Sequence, residues 1–522
     1  MLNLAVILEN SAREWPDKEA ITFNHFRLTY RMINDLANQV ANGLRAAGIR
    51  KGDKIAFSCP NLPYFPIVYF AILKVGAVMV PLNVLLREKE IAYHLSDSDA
   101  IAFICFEGPE HLPIGRFGYA GFKEAKTCEH FWIIPTIPGG DSPIPGVPTL
   151  TDLMHGQPDT FDTVQCRSED TCVIIYTSGT TGRPKGAELT HFNMLMNCMV
   201  SKDLVDGSHD DVALAVLPFF HSFGLTGVLS TATLGGARLV LLPRFDPGEA
   251  LRAMQDENVT LFGGVPTMYW ELLNYPDADK YDLEKIANTL RIGVSGGSAM
   301  PVDVMNRFQE KFRVRVLEGY GLSETSPSAS FSRLDMPQKI GSIGVPIWGV
   351  EMMVADSNVK EVPRGTHGEI VIRGHNVMKG YYKRDEANEE AFRGGWFHSG
   401  DIGYQDEDGY FFIVDRIKDM IIRGGYNVYP REVEEILMTH PEVSLAAVLG
   451  IPNEEHGEEI KAYVVPEPGS TITAEALIAW SKNEMAAYKY PRCVELRKTL
   501  PLGPTGKVLK QELRKEFAPK PA

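Results

Sequence analysis

The sequence predicts an α/β protein of at least two domains, a large N-terminal one with mostly parallel sheet and a small α+β one at the C-terminus. Three observations carry this. At 522 residues the chain is too long for a single hydrophobic core. Short apolar runs alternate with helix-length stretches, the pattern of parallel strands covered on both faces by helices. The stretch from Asp415, Arg416 and Lys418 to Arg423, Gly424 and Gly425 is charged at its start and Gly-rich at its end, which suits a domain boundary.

Taken in order, residues 1–8 are apolar but lack a basic start and soon meet Glu9 and Arg13. They read as the first helix and not as a signal peptide. Ile33, Leu36, Val40 and Leu44 recur at helical spacing across 29–47, with Gly48 as the stop. Residues 54–58 read as a strand, 65–75 as a helix and 77–81 as a strand. The Pro- and Gly-rich region 135–158 reads as a loop between sub-domains. The runs 172–175 and 211–218 read as buried strands. Near the end, 431–440 and 474–485 read as helices, and 445–450 and 460–465 as strands.

A net charge of −15 argues against nucleic acid or an acidic membrane surface as the main partner. No apolar run reaches the length of about 18 residues that a membrane-spanning helix needs. The seven cysteines are scattered, with no Cys-x-x-Cys and no paired His spacing. That favours a reduced, cytoplasmic setting over a disulfide framework or a zinc site.

The stretch 176–191 opens with Tyr176, Thr177, Ser178, Gly179, Thr180, Thr181 and Gly182, then carries Arg183, Pro184, Lys185 and Gly186. Glycines let the backbone turn its N–H groups toward an anion, hydroxyls add donors, and Lys185 adds a mobile charge. A polyphosphate suits such a loop best. It is not a Walker A loop, because Pro184 precedes Lys185 and Gly186 follows it, where that motif needs Gly-Lys-Ser/Thr. Further on, Phe219, Phe220 and Phe223 surround His221 at the end of the 211–218 strand, the place where parallel α/β sheets put ligands. Gly224, Gly227, Ser230, Thr231 and Ala232 keep the next segment small-sided and, with Val265, Thr267 and Met268, leave room for an elongated apolar pocket.

The 176–186 loop resembles the phosphate loop of the adenylate-forming superfamily, which holds acyl- and aryl-CoA synthetases, luciferases and peptide-synthetase adenylation domains. The resemblance extends over the chain. Residues 290–300, with Gly296 and Gly297, resemble the strand and turn beside adenine. The run Glu318-Gly319-Tyr320-Gly321-Leu322-Ser323-Glu324-Thr325 is similar to the motif that offers an aromatic face to adenine, a hydroxyl to phosphate and, at Glu324, an oxygen to Mg²⁺. By the same resemblance, Asp401 takes the ribose hydroxyls, Arg416 lies near the ribose, and Lys418 is the hinge. Arg423, Gly424 and Gly425 would line the path of a CoA pantetheine arm. Lys507, in the terminal turn 500–510, would be the adenylation lysine, with Lys510 incidental.

What the resemblance implies is a fold with a distorted β-barrel beside the parallel sheets and a mobile C-terminal domain, divided as 1–415 and 416–522. It implies an ATP-dependent acid–CoA ligase with Mg²⁺, ATP and CoA. The acid would be activated as acyl-adenylate, with His221 near its carboxylate and Phe220, Gly224, Val265, Met268 and Gly297 lining its pocket. A medium- or long-chain fatty acid is the favoured substrate, and an aryl acid of the coumarate or benzoate type, or an amide-forming enzyme, is the alternative. An amino-acid substrate is disfavoured, since no Asp accompanies His221. Peripheral membrane contact, and monomer against homodimer, stay open.

Overall fold

Thr29 opens the first long helix, Tyr30–Ala46, by accepting the Met32 amide on its hydroxyl. Ile33, Ala37, Val40, Ala41 and Leu44 form its buried face, and Gly48, at φ +94°, ends it in the left-handed region. The next helix, Tyr64–Lys74, is buried from Phe65 onward, as its unbroken apolar sequence requires. The computed structural model describes residues 2–177, 183–417, 419–423, 426–453, 456–503 and 506–517.

Among the described residues two large sheets dominate. The first, seven-stranded, runs in the order Gly380–Tyr381, Lys185–Thr190, Thr171–Thr177, Val78–Pro81, Lys54–Ser58, Ala100–Phe106, His130–Ile134. Its last five strands are parallel, and antiparallel pairing is confined to the end that carries Lys185–Thr190. The second, nine-stranded, has a parallel centre made of Arg315–Gly321, Ile292–Ser295, Leu261–Gly264, Val212–Ala215, Arg238–Leu241 and Glu19–Phe23. The expected parallel α/β architecture is therefore present. The antiparallel component beside it is a four-stranded sheet of Val350–Ala355, Gly368–Gly374, Phe397–Gln405 and Phe411–Arg416.

Region 135–158 departs from expectation. It leads from the edge strand His130–Ile134 back to Thr171–Thr177 in the same sheet, so it does not separate sub-domains. It also contains the helix Leu150–Met154, opened by a Thr149–Asp152 capping box. The strand expected over 211–218 is shorter, Val212–Ala215, and is followed by an unexpected π-helix, Phe223–Ser230.

The C-terminal unit has its own core. Strands Val443–Asn453 and Gly457–Pro466 lie at its centre. Val433, Leu437 and Leu477, from helices Pro430–Leu437 and Ala474–Glu484, cover one face with Val448 and Ile460. Leu500 and Leu513 cover the other against Leu449 and Tyr463. The large unit's core runs from Leu4 to Phe411. Two separate cores make two units. No helix among the described residues is long and apolar enough to cross a membrane.

Candidate active site

Strands Thr171–Thr177 and Lys185–Thr190 pair with Thr177 opposite Lys185, which brings the two ends of the expected phosphate loop together. Ser178, Gly179, Thr180, Thr181 and Gly182 lie outside the described residues. The loop's exit is tied down on both sides. The Tyr93 hydroxyl donates to the Pro184 carbonyl at 2.8 Å, and the Arg183 guanidinium lies 5.5 Å from the centre of the Tyr93 ring. On the other side Lys185 Nζ lies 5.1 Å from the Tyr381 ring centre, and the Tyr382 amide donates to the Gly186 carbonyl at 2.8 Å. A Cβ on Gly186 would fall 2.5 Å from Ile174, so only glycine lets the hairpin close here.

Thr177 and Lys185 open onto a cavity of about 770 Å³. His221, Ser323, Glu324, Arg416 and Lys507 share its wall, although they come from four separate stretches of the chain. The His221 imidazole is neutral at physiological pH, because burial and then the Lys507 ammonium hold its pKa down to about 4. The Phe223 amide donates to His221 Nδ1 at 3.3 Å, which leaves the proton on Nε2 as a neutral donor. Ser323 and Ser222 hydroxyls are 3.4 Å apart. Glu324 is nearly buried, and its Oε1 accepts the Tyr381 hydroxyl at 2.8 Å.

The nucleoside side is assembled next to it. Asp401 is 2% exposed and accepts the Tyr320 hydroxyl at 2.7 Å and Arg416 Nε at 2.9 Å. A second cavity, of about 430 Å³, lies between the two units and is bounded by Gly297, Glu318, Gly319, Tyr320, Gly321 and Asp401. Gly297 has φ +83°, in the left-handed region that favours glycine, and a Cβ there would touch Val265 at 3.5 Å; without one, a flat group can approach the backbone. At Gly321 the reason for glycine is packing, since a Cβ would overlap the Pro327 carbonyl at 1.7 Å. Glu318 Oε1 accepts the Met300 amide at 3.2 Å, while its buried Oε2 has no partner. Burial pushes this carboxyl up to about 7.

Gly296 stands at the floor of the large cavity, where its Cβ would meet the Phe223 ring at 3.1 Å. Gly224 and Val265 also line this cavity. Phe220 and Met268, expected on the acid pocket, are buried elsewhere and do not line the wall. Arg423 is engaged with Glu459 at 2.6 Å within the C-terminal unit, off both cavities. Lys418, Gly424 and Gly425 lie outside the described residues. Lys510 is not incidental: it pairs with Glu434 at 2.7 Å, and burial is outweighed by the Glu434 and Asp415 charges that raise its pKa. Sequence reading missed Tyr381, since an aromatic pair after a glycine carries no signal of its partner. It also set Thr267 toward the acid, whereas its hydroxyl donates to the Gly506 carbonyl at 2.7 Å.

Among the described residues no group of three or more His, Cys, Asp or Glu could hold a metal. A cation here would be one that takes few protein ligands and shares the nucleotide's oxygens, which is the habit of Mg²⁺. Glu324, on the cavity wall with one oxygen occupied by Tyr381, fits that role.

The family described as AMP-binding enzyme matches residues 8–382, and the AMP-binding enzyme C-terminal domain matches 432–507. The chain is 40% identical to a feruloyl-CoA synthase of an Amycolatopsis species over 509 residues, 97% of each chain. It is 35% identical to a long-chain-fatty-acid–CoA ligase of Bacillus subtilis over 533 residues, 98% of this chain and 94% of that one. Among solved structures it is similar to the anthranilate CoA ligase AuaEII in complex with anthranoyl-AMP, with a TM-score of 0.91, 29% identity, and 99% and 97% of the two chains covered.

Proposed function

This chain belongs to the AMP-binding enzyme family and is an ATP-dependent, AMP-forming acid–CoA ligase, and from that premise we propose that its acid is a compact, planar aryl or hydroxycinnamic acid. The observation that supports this is the floor of the cavity. Phe223 lies across it, with the positions of a Cβ on Gly227 and on Gly296 only 3.0 and 3.1 Å from its ring. Val265, Val294 and Phe331 form apolar walls above it. A flat ring fits between such walls with its carboxylate toward His221 Nε2–H and Lys507. The feruloyl-CoA synthase and the anthranilate ligase act on acids of that shape, as their names state.

One observation favours a second reading, a medium-chain fatty acid. Behind Phe223 lies an apolar slot of about 90 Å³ lined by Leu214, Gly227, Val228, Ala232 and Phe262. A chain that displaced the ring would enter it.

The chemistry proceeds in two halves. A carboxylate is a poor acyl donor because oxide would have to leave. Its oxygen attacks the α-phosphorus of ATP, the bond to the β-phosphate oxygen breaks, and pyrophosphate departs. Lys507 stabilises the negative charge on the carboxylate and α-phosphate, Lys185 and Thr177 hold the outer phosphates, and Asp401 with Arg416 orients the ribose. This is alignment and charge stabilisation, without covalent involvement of the protein. Mg²⁺, when bound at Glu324, would neutralise phosphate charge. The CoA thiol, losing its proton, then attacks the acyl carbon and AMP leaves. Lys507 occupies the reacting site in the first half, so the C-terminal unit turns about its connection to the large unit before the second.

The test is ATP–pyrophosphate exchange, and CoA thioester release, over ferulate, 4-coumarate, benzoate, octanoate and palmitate. Turnover of the aromatic acids well above the aliphatic ones is expected. Preference for palmitate would contradict the planar-acid reading.

A further inference from the structure

Helix Pro266–Leu273 belongs to the large unit, and two of its side chains reach the C-terminal unit. The Thr267 hydroxyl donates to the Gly506 carbonyl at 2.7 Å. One turn on, Trp270 Nε1 donates to the Ser444 hydroxyl at 3.0 Å. Positions three apart share a helix face, so a single short helix holds two separate parts of the C-terminal unit. Ser444 lies at the start of its central strand Val443–Asn453. Gly506 donates its amide to the Gly503 carbonyl at 2.8 Å, and the Gly503 amide donates to the Lys507 carbonyl at 2.7 Å.

The fit at the turn leaves no slack. Gly506 sits at φ +76°, and a Cβ there would fall 2.7 Å from Val265 Cγ2 and 2.8 Å from Thr267 Oγ1. The backbone of the turn is thus seated against the helix start. The next residue is Lys507, on the wall of the large cavity with His221, whose pKa its charge helps to lower.

We propose that Thr267 and Trp270 are positioning residues for adenylate formation, which dock the C-terminal unit in the one orientation that places Lys507 in the reacting site. The inference rests on the two-half reading above. It gives these two hydrogen bonds a defined duty: they exist in the first half-reaction and must break before the second. Neither side chain touches a reacting atom through them. Their loss therefore weakens the docked state and spares the chemistry of thioester formation.

The variants T267V, T267S and W270F separate this duty from general stability. Each is assayed for ATP–pyrophosphate exchange with ferulate, or the acid that the panel selects, and for thioester release from the synthetic adenylate of that acid with CoA. Losing one such bond and leaving its partner unpaired should lower exchange roughly tenfold in T267V and W270F. Thioester release should hold or rise, and T267S, which keeps the hydroxyl, should return exchange to near the parent value. Exchange at the parent rate in both T267V and W270F overturns the proposal. So does an equal fall of both half-reactions in variants whose melting temperatures are unchanged. K507A in the same assays keeps the two claims apart. Selective loss of exchange in K507A without loss in T267V and W270F overturns the docking role alone, and equal loss of both halves in K507A overturns the reading beneath it.

Discussion

The Tyr381 hydroxyl donates to Glu324 Oε1 at 2.8 Å while its ring lies under Lys185 Nζ at 5.1 Å. One side chain thus joins the carboxylate suited to the cation and the lysine of the phosphate loop. Its strand, Gly380–Tyr381, pairs with Lys185–Thr190, so the link is built into the sheet. Removing the hydroxyl frees Glu324 to change rotamer and leaves the ring in place. Y381F should raise the KM for MgATP roughly tenfold, the scale of a lost hydrogen bond to a charged group. KM values for the acid and CoA should be unchanged. A uniform change in all three would show that Tyr381 supports the fold and not this pair.

Phe223 divides the large cavity from the apolar slot behind it, and both share its ring. F223A joins the two spaces. Activity on octanoate should rise, and the KM for benzoate-sized acids should rise roughly tenfold as their ring loses its floor. A parallel loss on every acid would mean that the slot is not connected to the substrate path.

Glu318 gives a pH signature. Burial pushes its carboxyl up to about 7, against an ordinary value of 4.5. A folded-state pKa above the unfolded one means that the group's contribution is fully present below pH 4.5 and is lost as pH rises through 7. The cost of ionising it in place is on the order of 3 kcal/mol. E318Q, which cannot ionise, should gain in melting temperature relative to the parent as pH is raised from 5 to 8. A difference between the two proteins that does not vary with pH would refute the titration.

The parallel sheets were legible in the sequence because their strands are buried on both faces and read as unbroken apolar runs, as at 172–175 and 55–57. The small unit was legible because its strands and helices alternate at ordinary lengths. Contacts between distant segments were not. Nothing near Tyr381 in sequence points to Glu324, and nothing near Thr267 points to Gly506. The short helix Leu150–Met154 was hidden by the prolines and glycines around it. Phe220 and Met268 show a limit of proximity arguments, since both are buried and neither lines the cavity whose wall His221 and Val265 share. Lys510 shows a related limit: it reads as incidental beside Lys507, and nothing near it in sequence marks its ion pair with Glu434.

The central claim is that Lys507, carried by a separate unit, serves adenylate formation and not thioester formation. The direct measurement is K507A in both half-reactions: pyrophosphate exchange with the acid, and thioester release from a supplied acyl-adenylate and CoA. Exchange should fall by roughly 10²–10³-fold, as for loss of one preorganised charge-stabilising group, while thioester release stays near the parent rate. Equal loss of both would contradict the account.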